Sequence, residues 1–155
     1  MTNALADAGS LSDAAAAEMS TPRYASITNV NITNASQSMT ITGNDHEKVV
    51  LNLSNFVMSA GSFTLQGTMY TAFIINVAGN FSINNSHIYL SGVPPANVLF
   101  NLPGSGGQVS LNQGTTMSGI LLATDRRVDL SGGKVYGRVI ADQFNITSGG
   151  QVISQ

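Results

Sequence analysis

One pattern recurs along this chain: an apolar run, a V/F-x-L/I triplet, a corner of Gly and Asn, and a third short strand-like run. The segments begin at Val49, Phe73, Val98, Ile120 and Arg138, at intervals of 24, 25, 22 and 18 residues. A repeat too small to bury a face alone is stable only when stacked on its neighbours, and such a period marks a chain wound as a solenoid.

The columns carry more than the period does. The triplets Phe63-Leu65, Phe81-Ile83, Val109-Leu111, Val128-Leu130 and Phe144-Ile146 align. Alternation of strand side chains points both apolar members one way and the residue between them the other. The intervening residues are Thr64, Ser82, Ser110, Asp129 and Asn145, all polar. A second column reads Leu51-Asn52-Leu53, Ile75-Asn76-Val77 and Phe100-Asn101-Leu102, with Ala123 and Ala141 at the asparagine position thereafter. Identical amides stacked about 4.8 Å apart can bond along the stack. Asn52, Asn76 and Asn101 are therefore expected to form an inward-facing structural ladder.

The first twenty residues have a different character. Ala14 to Ala17 favour helix, Ser12 reads as its N-cap, and Pro22 ends the pattern. This divides one domain into an N-terminal helical segment, residues 1–23, and a β region, residues 24–155. The opening residues lack the basic stretch of a signal peptide and are interrupted by Asp7, Asp13 and Glu18. Export would then require a leader that has been removed.

Charge narrows the function classes. Charged residues make up 9% of the chain and the net charge is −2. Six Lys and Arg among eight acids form no basic stripe, which excludes a nucleic-acid binder. A neutral, amide-rich surface repels its own copies weakly. With no cysteine there is neither disulfide nor thiolate metal site. No apolar run reaches the roughly 18 residues of a membrane span.

The steps Ile75-Asn76-Val77, Val98 to Leu102, Gly119 to Val128 and Gly132 to Ala141 together resemble the choice-of-anchor A family of secreted and surface-attached bacterial proteins. The resemblance spans residues 50–145. It implies a mainly β fold, a right-handed parallel β-helix of five to six rungs, with one N-terminal α-helix packed alongside or capping it. It implies a place outside the cell or on its surface, and roles in adhesion or the cell envelope. It brings no catalytic residues and no cofactor.

The residues themselves offer little chemistry. Outside the helix the carboxylates are Asp45, Glu47, Asp125, Asp129 and Asp142. Stacking could gather Asp125, Asp129 and Asp142 with Arg126 and Arg138 on one flank, either as ion pairs between rungs or as a calcium site. A glycosidase would need two carboxyls at a set separation, which the pattern does not define. His46 and His87 read as corner residues, and no nucleophile stands in a motif context such as G-x-S-x-G.

The function expected is non-enzymatic: an extracellular adhesive or structural solenoid that assembles with itself, with polysaccharide or another surface as a further partner. Val152 and Ile153 end the chain's last strand with no rung to cover them. The first β segment likewise has no rung before it. Two open edges template further strands, so the expected assembly is an end-to-end fibre. The alternatives are ice binding and a carbohydrate-binding module. Ice binding would show as T-x-T on successive rungs, and only Thr40-Ile41-Thr42 fits.

Overall fold

An apolar-polar-apolar triplet in a strand buries one side and wets the other. In the computed structural model of this chain, which describes residues 2–155, such strands pair side by side into one thirteen-stranded sheet. The sheet bends into three stacks in which neighbours run parallel. The first holds β1 (Asn29–Ile32), β4 (Asn55–Met58), β7 (Phe81–Ile83) and β10 (Val109–Leu111). The last residues of β11 (Thr116–Ser131) and β12 (Lys134–Thr147) complete it. The second holds β2 (Ser38–Thr42), β5 (Ser62–Gln66), β8 (His87–Ser91), the first residues of β11 and β12, and β13 (Gln151–Ile153). The third holds β3 (Lys48–Leu53), β6 (Ala72–Val77), β9 (Val98–Asn101) and the middles of β11 and β12. The chain visits the stacks in the same order each time and advances one strand per circuit.

The inner sides of the three stacks share one core. Phe56 and Phe81, on adjacent strands of the first stack, lie stacked with ring centroids 5.2 Å apart. Phe63 from the second stack and Phe100 from the third meet them edge-on, at 5.0 Å from Phe56 and 5.7 Å from Phe81. All four rings are fully buried. The quadrupole of each ring favours such offset and edge-to-face contacts.

Late in the chain the second and third stacks join through a single glycine. Gly119 and Gly137 have φ of 132° and 146°, a conformation that side-chain-bearing residues rarely adopt. A Cβ on Gly137 would also stand 2.1 Å from the Gly119 carbonyl oxygen. That corner lets β11 and β12 run on as single long strands through all three stacks.

Three expectations need correction. The triplets Phe81-Ile83, Val109-Leu111, Val128-Leu130 and Phe144-Ile146 do lie in register in the first stack. Phe63-Leu65 does not belong with them: it sits in the second stack, between Met39-Ile41 and Ile88-Leu90. The missing member is Phe56-Met58. Two stacks carry similar triplets, so the triplet alone does not identify the face. The asparagine column is continued by Leu122 and Ile140, not by Ala123 and Ala141. Ala123 points inward and is fully buried.

The helix is also placed differently. α1 spans Thr2–Ala16, so Ser12 lies in its body rather than at its cap. Its turns end before Pro22, which opens a separate single 3-10 turn, Pro22–Tyr24. Ala8, Ser12 and Ala15 are buried along one side of α1. That is the i, i+4, i+7 spacing of one helix face.

Candidate functional site

The asparagines Asn52, Asn76 and Asn101 stand side by side in register on the third stack. They point away from the core, toward α1, and not inward as the flanking apolar residues had suggested. Asn101 Nδ2 donates to Asn76 Oδ1 at 2.8 Å, and Asn76 Nδ2 donates to Asn52 Oδ1 at 2.7 Å. Each amide also donates outward, to the carbonyls of Ser12, Ala15 and Glu18 at 2.9, 2.7 and 2.8 Å. Ser12 Oγ donates back to Asn101 Oδ1 at 2.7 Å. The match has a geometric origin. Three helix residues rise about 4.5 Å, close to the strand spacing of about 4.8 Å. The carbonyls of Ser12, Ala15 and Glu18, the last just past the end of α1, thus each meet one rung of amides.

The segment after α1 caps the N-terminal edge of the third stack and the end of β2. Thr21 N–H donates to the Val50 carbonyl at 2.9 Å, and Val50 N–H donates to Thr21 Oγ1 at 2.8 Å. Asn52 N–H donates to Ser20 Oγ at 3.2 Å. The exposed edge of β3 is thereby satisfied by residues that are not a strand. Tyr24 and Ile27 pack against the core, and Tyr24 Oη both donates to the Thr42 carbonyl and accepts from the Thr42 N–H. Arg23 pairs with Glu47 through two hydrogen bonds. The Arg23 bonds, aided by the Asn44 N–H, hold the Glu47 carboxyl down at about 2, and the same contact raises the Arg23 guanidinium. The expectation of an unguarded N-terminal edge is met at β1, which pairs only with β4, and is corrected at β3 and Thr42, where hydroxyls and a tyrosine stand in for a preceding rung.

The other end differs. Val152 pairs with the fully buried Val135 and points the same way, yet is 37% exposed. Phe144 and Ile146, in register with Val128 and Leu130, are 41% and 48% exposed. Side chains of core type and core orientation thus face outward at this end. Ile153 differs from Val152: it pairs with Tyr136 on the outer side of the second stack.

The corner between the third and first stacks does not gather its acids into a metal site. Asp125 and Asp142 are exposed. Asp129 accepts from Arg127 Nε at 2.9 Å and from Asn145 Nδ2 at 3.1 Å. Among the described residues no group of three or more His, Cys, Asp or Glu could hold a metal ion. The Arg127–Asp129 pair lies within one strand rather than between rungs. Arg126, expected beside the acids, is instead 4% exposed and turned into the corner. Its guanidinium donates to the carbonyls of Val77, Ala78, Gly79, Pro103 and Gly104. Burial pushes its pKa down. Its five N–H groups in a rigid fork suit this task. Nothing in the local sequence separates Arg126 from its exposed neighbour Arg127 except the irregular register between Ala123 and Arg127.

The outer side of the second stack carries polar side chains in register. In register it carries Ser38, Ser62, His87, Thr116, Lys134 and Gln151 in one column. Beside them run Thr40, Thr64 and Tyr89, and, further along, Ser118, Tyr136 and Ile153. Thr40 and Thr64 are the only threonines adjacent in the second column, so the grid of small hydroxyls ends after two strands. Beyond it lies a cleft of about 500 Å³ between Tyr89, Tyr136 and the Val93–Pro95 loop. His46 stacks on Tyr70 at 4.5 Å, on a corner.

Residues 2–154 match the model of a family described as "Putative Ice-binding-like adhesive domain". No curated protein matches the chain. The match agrees with the adhesive part of the choice-of-anchor A resemblance and is made to a differently described family. No helix among the described residues is long and apolar enough to cross a membrane. Spanning all but the two terminal residues, the match shows that this chain belongs to the family of ice-binding-like adhesive domains.

Proposed function

We propose that this domain is a non-enzymatic adhesive module, displayed outside the cell, that associates with a second copy through the C-terminal end of its stacks. Its winding is that of a right-handed solenoid of five to six rungs, the architecture that the choice-of-anchor A resemblance implies. Membership of an adhesive-domain family supports the adhesive half. The observation that carries the association is the exposure of Phe144, Ile146 and Val152, whose in-register partners are buried.

The N-terminal end, whose core side chains are already covered, changes the form of assembly. A fibre needs two different complementary ends, whereas one open end meeting its own copy makes a closed pair. The favoured assembly is therefore a pair, and a fibre would require Tyr24 and Ile27 to leave the core. Sedimentation velocity tests this. The wild type should form a concentration-dependent dimer that Val152→Lys abolishes. A wild type that stays monomeric at high concentration defeats the association half.

Ice binding is the second reading, supported by the family description and by the in-register Thr40 and Thr64. The hydroxyl grid is interrupted at the third strand by His87 and Tyr89. Weak or absent thermal hysteresis is the expected result, and faceted growth of a seed ice crystal would reverse the order of the two readings.

A further inference from the structure

The cleft on the outer side of the second stack has the make-up of a ligand site rather than of a packing defect. One wall is the loop after β8, stiffened by Pro94 and Pro95. Its floor exists because the next two strands turn off the face at Gly119 and Gly137 instead of extending under that loop. Tyr89 and Tyr136 line it, together with Thr116, Ser118, Val93 and Pro95. Tyr89 is 50% exposed. Continuing the His87–Thr116 pairing by two residues sets Tyr89 opposite Ser118, and Ser118 pairs with Tyr136. Two tyrosines therefore flank one serine, roughly 10 Å apart, which is two strand spacings of about 4.8 Å.

No charged side chain lines the cleft. Lys134, paired with Thr116, is the one charged residue among the outward-facing positions of β8 and of the neighbouring parts of β11 and β12. Thr116 Oγ1 lies 2.8 Å from His87 Nδ1, which orients the imidazole beside Tyr89. His87 Nε2 has no partner among the described residues and can bond a ligand hydroxyl. The surface is thus aromatic, hydroxylated and uncharged.

We infer that this cleft binds a neutral, β-linked polysaccharide, with Tyr89 and Tyr136 packing on alternate sugar rings and Ser118 bonding the ring between. Sugar rings present an apolar face of C–H groups that packs on aromatic rings, and rim hydroxyls that need polar partners. In an extended β-1,4-linked chain each ring is turned over relative to the last, so alternate rings show equivalent faces at about the spacing the two tyrosines provide. Sites of this kind combine aromatic surface with a few placed polar groups. An acidic glycan would find only Lys134 to meet its charges, and a helically coiled α-linked chain would not keep successive sugars along a straight row of strands. The inference rests on the adhesive reading and names what is adhered to.

The test is calorimetric titration of the whole chain with cellohexaose and chitohexaose, with maltohexaose and polygalacturonate as comparisons. At least one neutral β-linked oligosaccharide should bind, and the other two should bind at least tenfold more weakly. Tyr89→Ala and Tyr136→Ala should each weaken binding about tenfold, and Tyr136→Phe should retain it. Urea midpoints near wild type would show that the variants are folded. If Tyr136→Ala unfolds the protein, Ser118→Tyr, which fills the space between the rings, serves in its place and should abolish binding. Val152→Lys must bind as the wild type does, because the association surface lies elsewhere. Loss of dimerisation with glycan binding intact defeats only the proposed pair. The glycan site is overturned if no β-linked oligosaccharide binds, if maltohexaose or polygalacturonate binds as well, or if the tyrosine variants bind unchanged.

Discussion

The two ends of the stacks solve the same problem differently. Every stacked sheet has a first and a last strand with backbone groups and core side chains that lack a neighbour. At the N-terminal end, Ser20 and Thr21 bond the edge of β3, and Tyr24 bonds Thr42 while covering the core. At the C-terminal end, Phe144, Ile146 and Val152 have core orientation and no cover. Ser20, Thr21 and Tyr24 thus cap β3 and the end of β2 without an extra rung, while β1 keeps an unpaired outer edge. An end left without such caps exposes core-facing side chains that contact with another molecule can bury.

The largest expected effect concerns the clamp that holds the seal in place. Asn101→Asp puts a carboxylate where the amide donates to Ser12 and Asn76, fully buried beneath α1. A buried charge without a partner costs about 3–5 kcal/mol, and urea denaturation should show a matching fall in midpoint. A near-wild-type midpoint would mean that α1 does not depend on the ladder.

Opening the sealed end comes next. Tyr24→Ala removes a ring packed on the core and both bonds to Thr42, for about 2–3 kcal/mol. It should also create a second sticky end, so that the dimer gives way to longer assemblies in sedimentation. Tyr24→Phe keeps the cover and loses the bonds, for about 1 kcal/mol, and should leave the assembly state unchanged. If Tyr24→Ala sediments as the wild type does, the ends are not distinguished by this residue.

At the open end the sign of the comparison reverses. Phe144→Lys should change stability by no more than about 0.5 kcal/mol, because the ring is 41% exposed already. Its effect should appear in association alone, as a monomer at concentrations where the wild type pairs. A large loss of stability would show that the exposed ring is supporting the last strand.

The smallest effect is acid sensitivity at the sealed end. Glu47 is held at about 2 against an ordinary 4.5, so it favours the folded state once deprotonated in both states. That contribution is present above about pH 4.5 and fades as pH falls toward 2. The pair is partly exposed, so the change should be modest. Chemical denaturation at pH 6 and pH 2.5 should show a smaller acid-induced loss in Glu47→Gln than in the wild type. An equal loss in both would place the acid-labile contacts elsewhere.

The stacked parallel fold and most of its core were legible because alternation and period act on every rung alike. What stayed hidden depended on breaks in that regularity. Phe63-Leu65 was assigned to the wrong stack because similar triplets face the same core from two directions. Ala123 was taken for Leu122 because a one-residue difference at an apolar run leaves the period intact while exchanging inside for outside. Ser12 looked like a cap because serine is favoured there. The signal for its true role is the small-residue spacing of Ala8, Ser12 and Ala15. Tyr24 and Arg126 carried no local signal at all. Their roles depend on carbonyls 18 residues away for Tyr24 and as many as 49 for Arg126.

The asparagine clamp also sets a timetable. Strands pair with the circuit just before them, but α1 is fastened to Asn101 across 89 residues. At synthesis rates of about 5–20 residues per second, the ribosome needs several seconds to travel from Ser12 to Asn101. A short alanine-rich helix is marginal on its own in water. α1 thus leaves the ribosome before the strand that holds it, and is fastened to the stack only once the circuit carrying Asn101 has formed.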